Sequence, residues 1–210
     1  MKILANNFVN LKRKQPEREV FIFAHISKTG GTSLRDYFAS HLREHVEFIH
    51  HAKKGEKKAS SCGFSGFEQL SAFQKAQVKV VLGHKVDCLT SSQFIGAKVH
   101  NVVTFRDPKS WIISRYNQRM HRRYLNKEPL LSFSDWLSCG DPFYSQFNWL
   151  IARYYRLGAQ HKKLDDAQKM SFILENLPSF SFILFLDSLA DGISEICQRL
   201  NIPDGIGYSN

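Results

Sequence analysis

The sequence predicts a single α/β domain with a mostly parallel central sheet flanked by helices, and three observations lead there. Short apolar runs alternate along the chain with segments whose apolar residues fall at helical spacing, which is the pattern of strands joined by crossover helices. The runs are continuous rather than alternating, as strands buried on both faces require. A chain of 210 residues is long enough for one sizeable core and too short for two.

Residues 1–19 are polar and basic around Pro16 and read as an irregular lead-in, leaving residues 20–210 for the domain. Residues 20–26, Val-Phe-Ile-Phe-Ala-His-Ile, are rich in β-branched and aromatic side chains and predict the first strand. Leu34, Tyr37, Phe38 and Leu42 then recur at helical spacing, with Thr32 or Ser33 available as the N-cap. Residues 46–51 predict a second strand, and the Lys-, Gly- and Ser-rich residues 52–65 a loop. Phe67, Leu70 and Phe73 predict a helix over 66–76, and residues 78–83 another buried strand. Residues 98–105 give the next strand. Pro108 then stands where proline favours a helix start, ahead of a long helix over 109–125. Residues 130–158 are dense in aromatics, a core signature, with sugar stacking the alternative for any that fall near a site. A helix over 165–177, a strand over 181–186 and a closing helix over 189–200 follow, the last with Leu189, Ile193, Ile196 and Leu200 on one face.

Three strand ends carry chemistry. After the first strand comes Ser27-Lys-Thr-Gly-Gly-Thr-Ser33. Gly30 and Gly31 let backbone approach an anion closely, and the first helical turn offers unpaired N–H groups and a positive dipole end. Lys28 adds a mobile charge, and Thr29, Thr32 and Ser33 add hydroxyls. This predicts a phosphate-binding loop and a P-loop-like domain. The Walker A order is absent, because the lysine precedes the paired glycines, which argues against an ordinary ATPase. The plain alternative is a glycine-rich turn between a core strand and a core helix. After residues 102–105 comes Arg106-Asp107-Pro108, with Ser114 eight residues beyond the arginine. A guanidinium fork and a neutral hydroxyl suit a second phosphate, and Asp107 suits a helix cap. Between these two lies Val80-Val-Leu-Gly-His84, a strand ending on a histidine. Imidazole titrates near neutrality and suits a general base, although a structural histidine at a strand exit fits the same position.

The first segment resembles the H-I-x-K-T-G-G-T-[ST] signature of carbohydrate sulfotransferases related to heparan sulfate 2-O- and 6-O-sulfotransferases, and Arg106, Asp107, Pro108, Ser114 and Tyr116 match their R-D-P-x-x-[RW]-x-x-S-x-[YF] motif. The motifs are specific, whereas the closing strand and helix and residues 148–158 resemble the family only loosely. The resemblance implies 3′-phosphoadenosine 5′-phosphosulfate (PAPS) as co-substrate and adenosine 3′,5′-bisphosphate as product, with no metal. Lys28, Thr29, Gly30, Gly31, Thr32 and Ser33 would hold the 5′-phosphosulfate, and Arg106 and Ser114 the 3′-phosphate. His84 would be the base and Lys28 the cation beside the leaving oxygen, with His25 a competing base candidate. Ser27 and Trp111 stand where relatives often carry other residues, and Trp111 leaves a third cationic contact in doubt. The implied activity is transfer of a sulfuryl group to a hydroxyl of a carbohydrate or glycoconjugate acceptor, anionic or neutral.

A net charge of +10 and a pI near 9.5 point to anionic partners without choosing among nucleotide, nucleic acid, lipid or acidic polysaccharide. Arg115, Arg119 and Arg122 line one face of the long helix, either as a solvated stripe or as a rim for an acidic acceptor. Cys62, Cys88, Cys139 and Cys197 form no C-x-x-C pair, which predicts reduced thiols. The sequence has neither a signal peptide nor a run of about 18 apolar residues, and a cytoplasmic location is expected. Eukaryotic members of the resembled family are Golgi type II membrane proteins, so this predicts a bacterial enzyme or a trimmed catalytic domain. Two other functions compete: a P-loop-type small-molecule kinase, disfavoured by the position of Lys28, and a non-catalytic polyanion or nucleic-acid binding module. No nucleic-acid motif supports the latter.

Overall fold

A computed structural model of the chain describes residues 18–51, 66–139 and 145–206, so the expected loop over 52–65 and nearly all of the lead-in lie outside the described residues. Five strands form one sheet: β1 (Glu19–Ala24), β2 (Phe48–His50), β3 (Val80–Gly83), β4 (Lys98–Phe105) and β5 (Phe182–Phe185). Every pairing is parallel, in the order β2-β3-β1-β4-β5, where a mostly parallel sheet was expected. The helices are α1 (Gly31–His41), α2 (Ala72–Gln77), α3 (Pro108–Leu125), α4 (Phe133–Ser138), α5 (Gln146–Trp149), α6 (Asp166–Asn176) and α7 (Leu189–Leu200).

Two apolar layers cover the sheet because successive strand residues point to opposite faces. Val20, Ile22, Ala24, Val81 and Val103 pack against the 149–154 segment and Ile173 of α6. Phe21, Phe23, Val80, Leu82 and Val102 pack against Leu34, Tyr37 and Phe38 of α1 and against Leu189, Ile193, Ile196 and Leu200 of α7. Burying Phe21 and Phe23 contributes about 1.5–3 kcal/mol each.

The aromatic segment divides. Trp136, Trp149 and Tyr154 are buried as core, Phe133 is 40 % exposed, and Phe143 and Tyr144 lie outside the described residues. The segment over 66–76 corrects its expectation. It breaks into a 3-10 turn (Phe67–Gln69) and α2, because Ser71 and Gln74 form a reciprocal capping box that starts the helix late. Phe73 is consequently 75 % exposed. No helix among the described residues is long and apolar enough to cross a membrane.

The topology places a crevice. The connection leaving β1 runs to one side of the sheet, toward β2, while the connection leaving β4 runs to the other side, toward β5. Adjacent strands whose connections diverge open a gap beyond their carboxyl ends, where ligands of parallel sheets bind.

Candidate functional site

The gap is an open cleft of about 670 Å³, lined by His25, Ser27, Lys28, Gly30, Gly31, Thr32, Ser33, His84, Arg106, Ser114, Gln118, Leu186 and Asp187. Seven of the eight residues expected to hold a nucleotide therefore line one space, as does the candidate base. Thr29 does not. Its side chain is buried beneath the loop and its hydroxyl donates to the Ile26 carbonyl at 2.8 Å.

The loop after β1 is held by backbone geometry. Lys28 has φ 71° and Gly30 φ 86°, both left-handed, and such a conformation is costly for a residue with a Cβ. Gly30 is the N-cap of α1, which corrects the expected cap at Thr32 or Ser33: the helix begins at Gly31, two residues before the segment expected to open it, and no side chain caps it. Gly31 admits no side chain either, since a Cβ there would lie 1.8 Å from His25 Nε2. Both glycines thus leave backbone N–H groups of the first turn bordering the cleft.

The β4 exit is held by side chains distant in sequence. Gln146 clasps the Arg106 backbone, accepting from its N–H at 2.9 Å and donating to its carbonyl at 2.7 Å. Asp107 caps α3 by accepting from the Ser110 N–H at 2.8 Å, and this bond holds its carboxyl below the usual carboxylate range. Trp111 Nε1 donates to the Ser27 carbonyl at 2.8 Å, tying the start of α3 to the loop after β1. Trp111 is therefore a buried tether and not a third anion contact. Tyr116 donates to the Leu131 carbonyl at 2.7 Å and packs on Phe133 and Trp136, away from the cleft lining.

Lys28 and Arg106 bring positive charge to the cleft, and Asp187 brings a carboxylate. Burial lowers the Lys28 pKa from its ordinary value, and the neighbouring Arg106, Arg122 and Arg115 charges lower it further. Neither Lys28 nor Arg106 has an ion-pair partner among the described residues, and the buried Arg106 Nε has no hydrogen-bond partner there. Convergent cations repel, so an anion bound among them relieves a standing cost. Arg115 also lies 5.5 Å over the Trp111 ring.

The two histidines separate by environment. His84 Nδ1 lies 2.8 Å from the His25 carbonyl, an acceptor, so Nδ1 carries the proton in neutral His84 and Nε2 carries the lone pair. The two rings stack with centroids 4.1 Å apart. Burial, then the His84, His50 and Arg35 charges, push His25 well below the usual histidine range. A base must stabilise the proton it takes, so this environment favours His84 over His25.

Gln118, Leu186 and Asp187 join the cleft without having been expected. Gln118 follows Ser114 by one helical turn, a usable signal, whereas Leu186 and Asp187 arrive on the turn after β5. No group of three or more His, Cys, Asp or Glu placed to hold a metal ion is found among the described residues. No family model, curated protein or solved structure matches this chain.

Proposed function

We propose that the protein is a PAPS-dependent sulfotransferase acting on a hydroxyl acceptor, a carbohydrate or glycoconjugate. The observation that carries this reading is the convergence of two cationic groups without an ion-pair partner among the described residues, Lys28 after β1 and Arg106 after β4, on one cleft whose edge bears a histidine. The residues fit the molecule. The loop of Lys28, Gly30, Gly31, Thr32 and Ser33 offers N–H groups, hydroxyls and a cation to the 5′-phosphosulfate. Arg106 and Ser114 offer a guanidinium fork and a hydroxyl to the 3′-phosphate, the guanidinium including an Nε without a hydrogen-bond partner among the described residues. The co-substrate supplies the sulfuryl group: the acceptor oxygen forms a bond to sulfur as the bond from sulfur to the phosphate bridging oxygen breaks, releasing adenosine 3′,5′-bisphosphate. The chain supplies the rest. His84 Nε2 takes the acceptor proton, the His25 carbonyl holds the opposite edge of that ring, and Lys28 steadies charge building on the departing phosphate.

Calorimetric titration tests this reading. Adenosine 3′,5′-bisphosphate is expected to bind without magnesium, and ATP with magnesium at least about 10-fold more weakly, because the two cationic groups would read two separate phosphates. A preference for ATP with magnesium would replace the reading with a kinase.

A further inference from the structure

Arg106 is the first residue past β4, whose last registered pair is Phe105 with Phe185, so its N–H and carbonyl lie beyond the ladder that fixes the strand. The Gln146 carboxamide takes both, accepting from the N–H at 2.9 Å and donating to the carbonyl at 2.7 Å, as one residue of an antiparallel strand would. Only Asn and Gln carry an acceptor and a donor on one planar side-chain amide, and Gln146 is 7 % exposed. Beside it Phe147 packs edge-on against Phe105, with ring centroids 5.9 Å apart. Consecutive residues of α5 thus grip consecutive residues of the β4 exit.

The grip has a firm base. Ser145 caps α5 by accepting from the Asn148 N–H at 3.0 Å, and Trp149 is buried with its ring 6.5 Å from that of His84. The π-turn that follows, Leu150–Tyr154, accepts from the Cys88 N–H through the Tyr154 carbonyl at 3.0 Å. That turn also supplies Arg153 to a second cleft of about 720 Å³, whose lining includes His84, Lys85, Asp87 and Arg156.

We propose that Gln146 is a positioning residue for 3′-phosphate specificity: by clasping the Arg106 backbone it fixes where the guanidinium stands relative to the loop of Lys28. This rests on the sulfotransferase reading. Gln146 is not among the residues lining the Lys28 cleft, so it acts through Arg106 and not on the nucleotide. A fork of donors must be aimed to hold a phosphate, and a backbone free to pivot would spread the guanidinium over many positions at an entropic cost to binding. Arg106 and Asp107 are the two residues between β4 and α3, so the clasp also stands at the joint from which α3 carries Ser114 to the cleft.

Nucleotide titration of Gln146→Met, which keeps the side-chain length and removes both bonds, tests this. Wild type should bind adenosine 3′,5′-bisphosphate at least about 10-fold more tightly than adenosine 5′-monophosphate. Gln146→Met should lose most of that preference while its 5′-monophosphate affinity stays within about 2-fold of wild type. Ile196→Val, which loosens the core on the other face of the sheet, should keep the preference. In the unsubstituted protein, the NMR resonances of the Gln146 side-chain amide should shift on addition of adenosine 3′-monophosphate and stay in place with the 5′-monophosphate. A preference that persists in Gln146→Met, equal losses for both nucleotides, or a Gln146 resonance indifferent to the 3′-monophosphate would overturn the proposal alone. A wild type without the preference would overturn the nucleotide reading and this proposal with it.

Discussion

The cleft holding Lys28 is walled mostly by the loop after β1 and by the β4 exit with α3, whereas the cleft across His84 is assembled from short turns after β3 and from the π-turn over Leu150–Tyr154. In the first, residue identity is dictated by close packing and backbone conformation: Gly31 lies under the His25 ring and Gly30 is left-handed. In the second, Lys85, Arg153 and Arg156 are exposed, and Arg156 is ion-paired with Asp87. The difference teaches that one molecule can carry a site inseparable from its fold beside a cleft lined by exposed charge. Substitutions should therefore cost stability in the first cleft and little in the second.

The largest expected effect falls where the clefts meet. His84→Ala should reduce sulfuryl transfer about 10²- to 10⁴-fold while leaving bisphosphate affinity near that of the wild type. Rate and calorimetry on the same preparation check this, and near-normal transfer would remove His84 from the chemistry. Gly31→Ala comes next. Its methyl group must displace the His25 ring, costing about 1–3 kcal/mol of stability in denaturant unfolding along with nucleotide affinity. The smallest effect belongs to the second cleft, where Arg153→Gln with Arg156→Gln should change unfolding free energy by no more than about 0.5 kcal/mol. A large loss there would mean that the two clefts are equally structural and would erase the contrast.

How much was legible in the sequence follows the same division. The 98–105 strand and the 189–200 helix match their expectations residue for residue, because long apolar periodicity within one element leaves little freedom. The loop residues were legible as a set, since a strand, a lysine, two glycines and a helix are contiguous. Their geometry was not: left-handed φ at Lys28 is invisible in a residue with a Cβ, and so was the inward turn of Thr29. Phe73 misled because apolar spacing outweighed a capping pair, Ser71 and Gln74, that a local reading offers. Gln146 and Trp111 bond to backbone 40 and 84 residues away, and no local pattern encodes such partners. The second cleft was illegible for that reason too, since Lys85 and Arg153 meet only through the fold.

The central claim is that Lys28 and Arg106 read two different phosphates of one nucleotide, and a matrix of binding affinities tests it most directly. Adenosine 3′,5′-bisphosphate, adenosine 5′-monophosphate and adenosine 3′-monophosphate would each be titrated into wild type, Lys28→Ala and Arg106→Ala. Arg106→Ala should lose about 1.5–3 kcal/mol for the bisphosphate and no longer distinguish it from the 5′-monophosphate, while Lys28→Ala should no longer distinguish it from the 3′-monophosphate. If both variants weakened all three nucleotides alike, the cleft would be one diffuse cationic patch and the account of two phosphate positions would be contradicted.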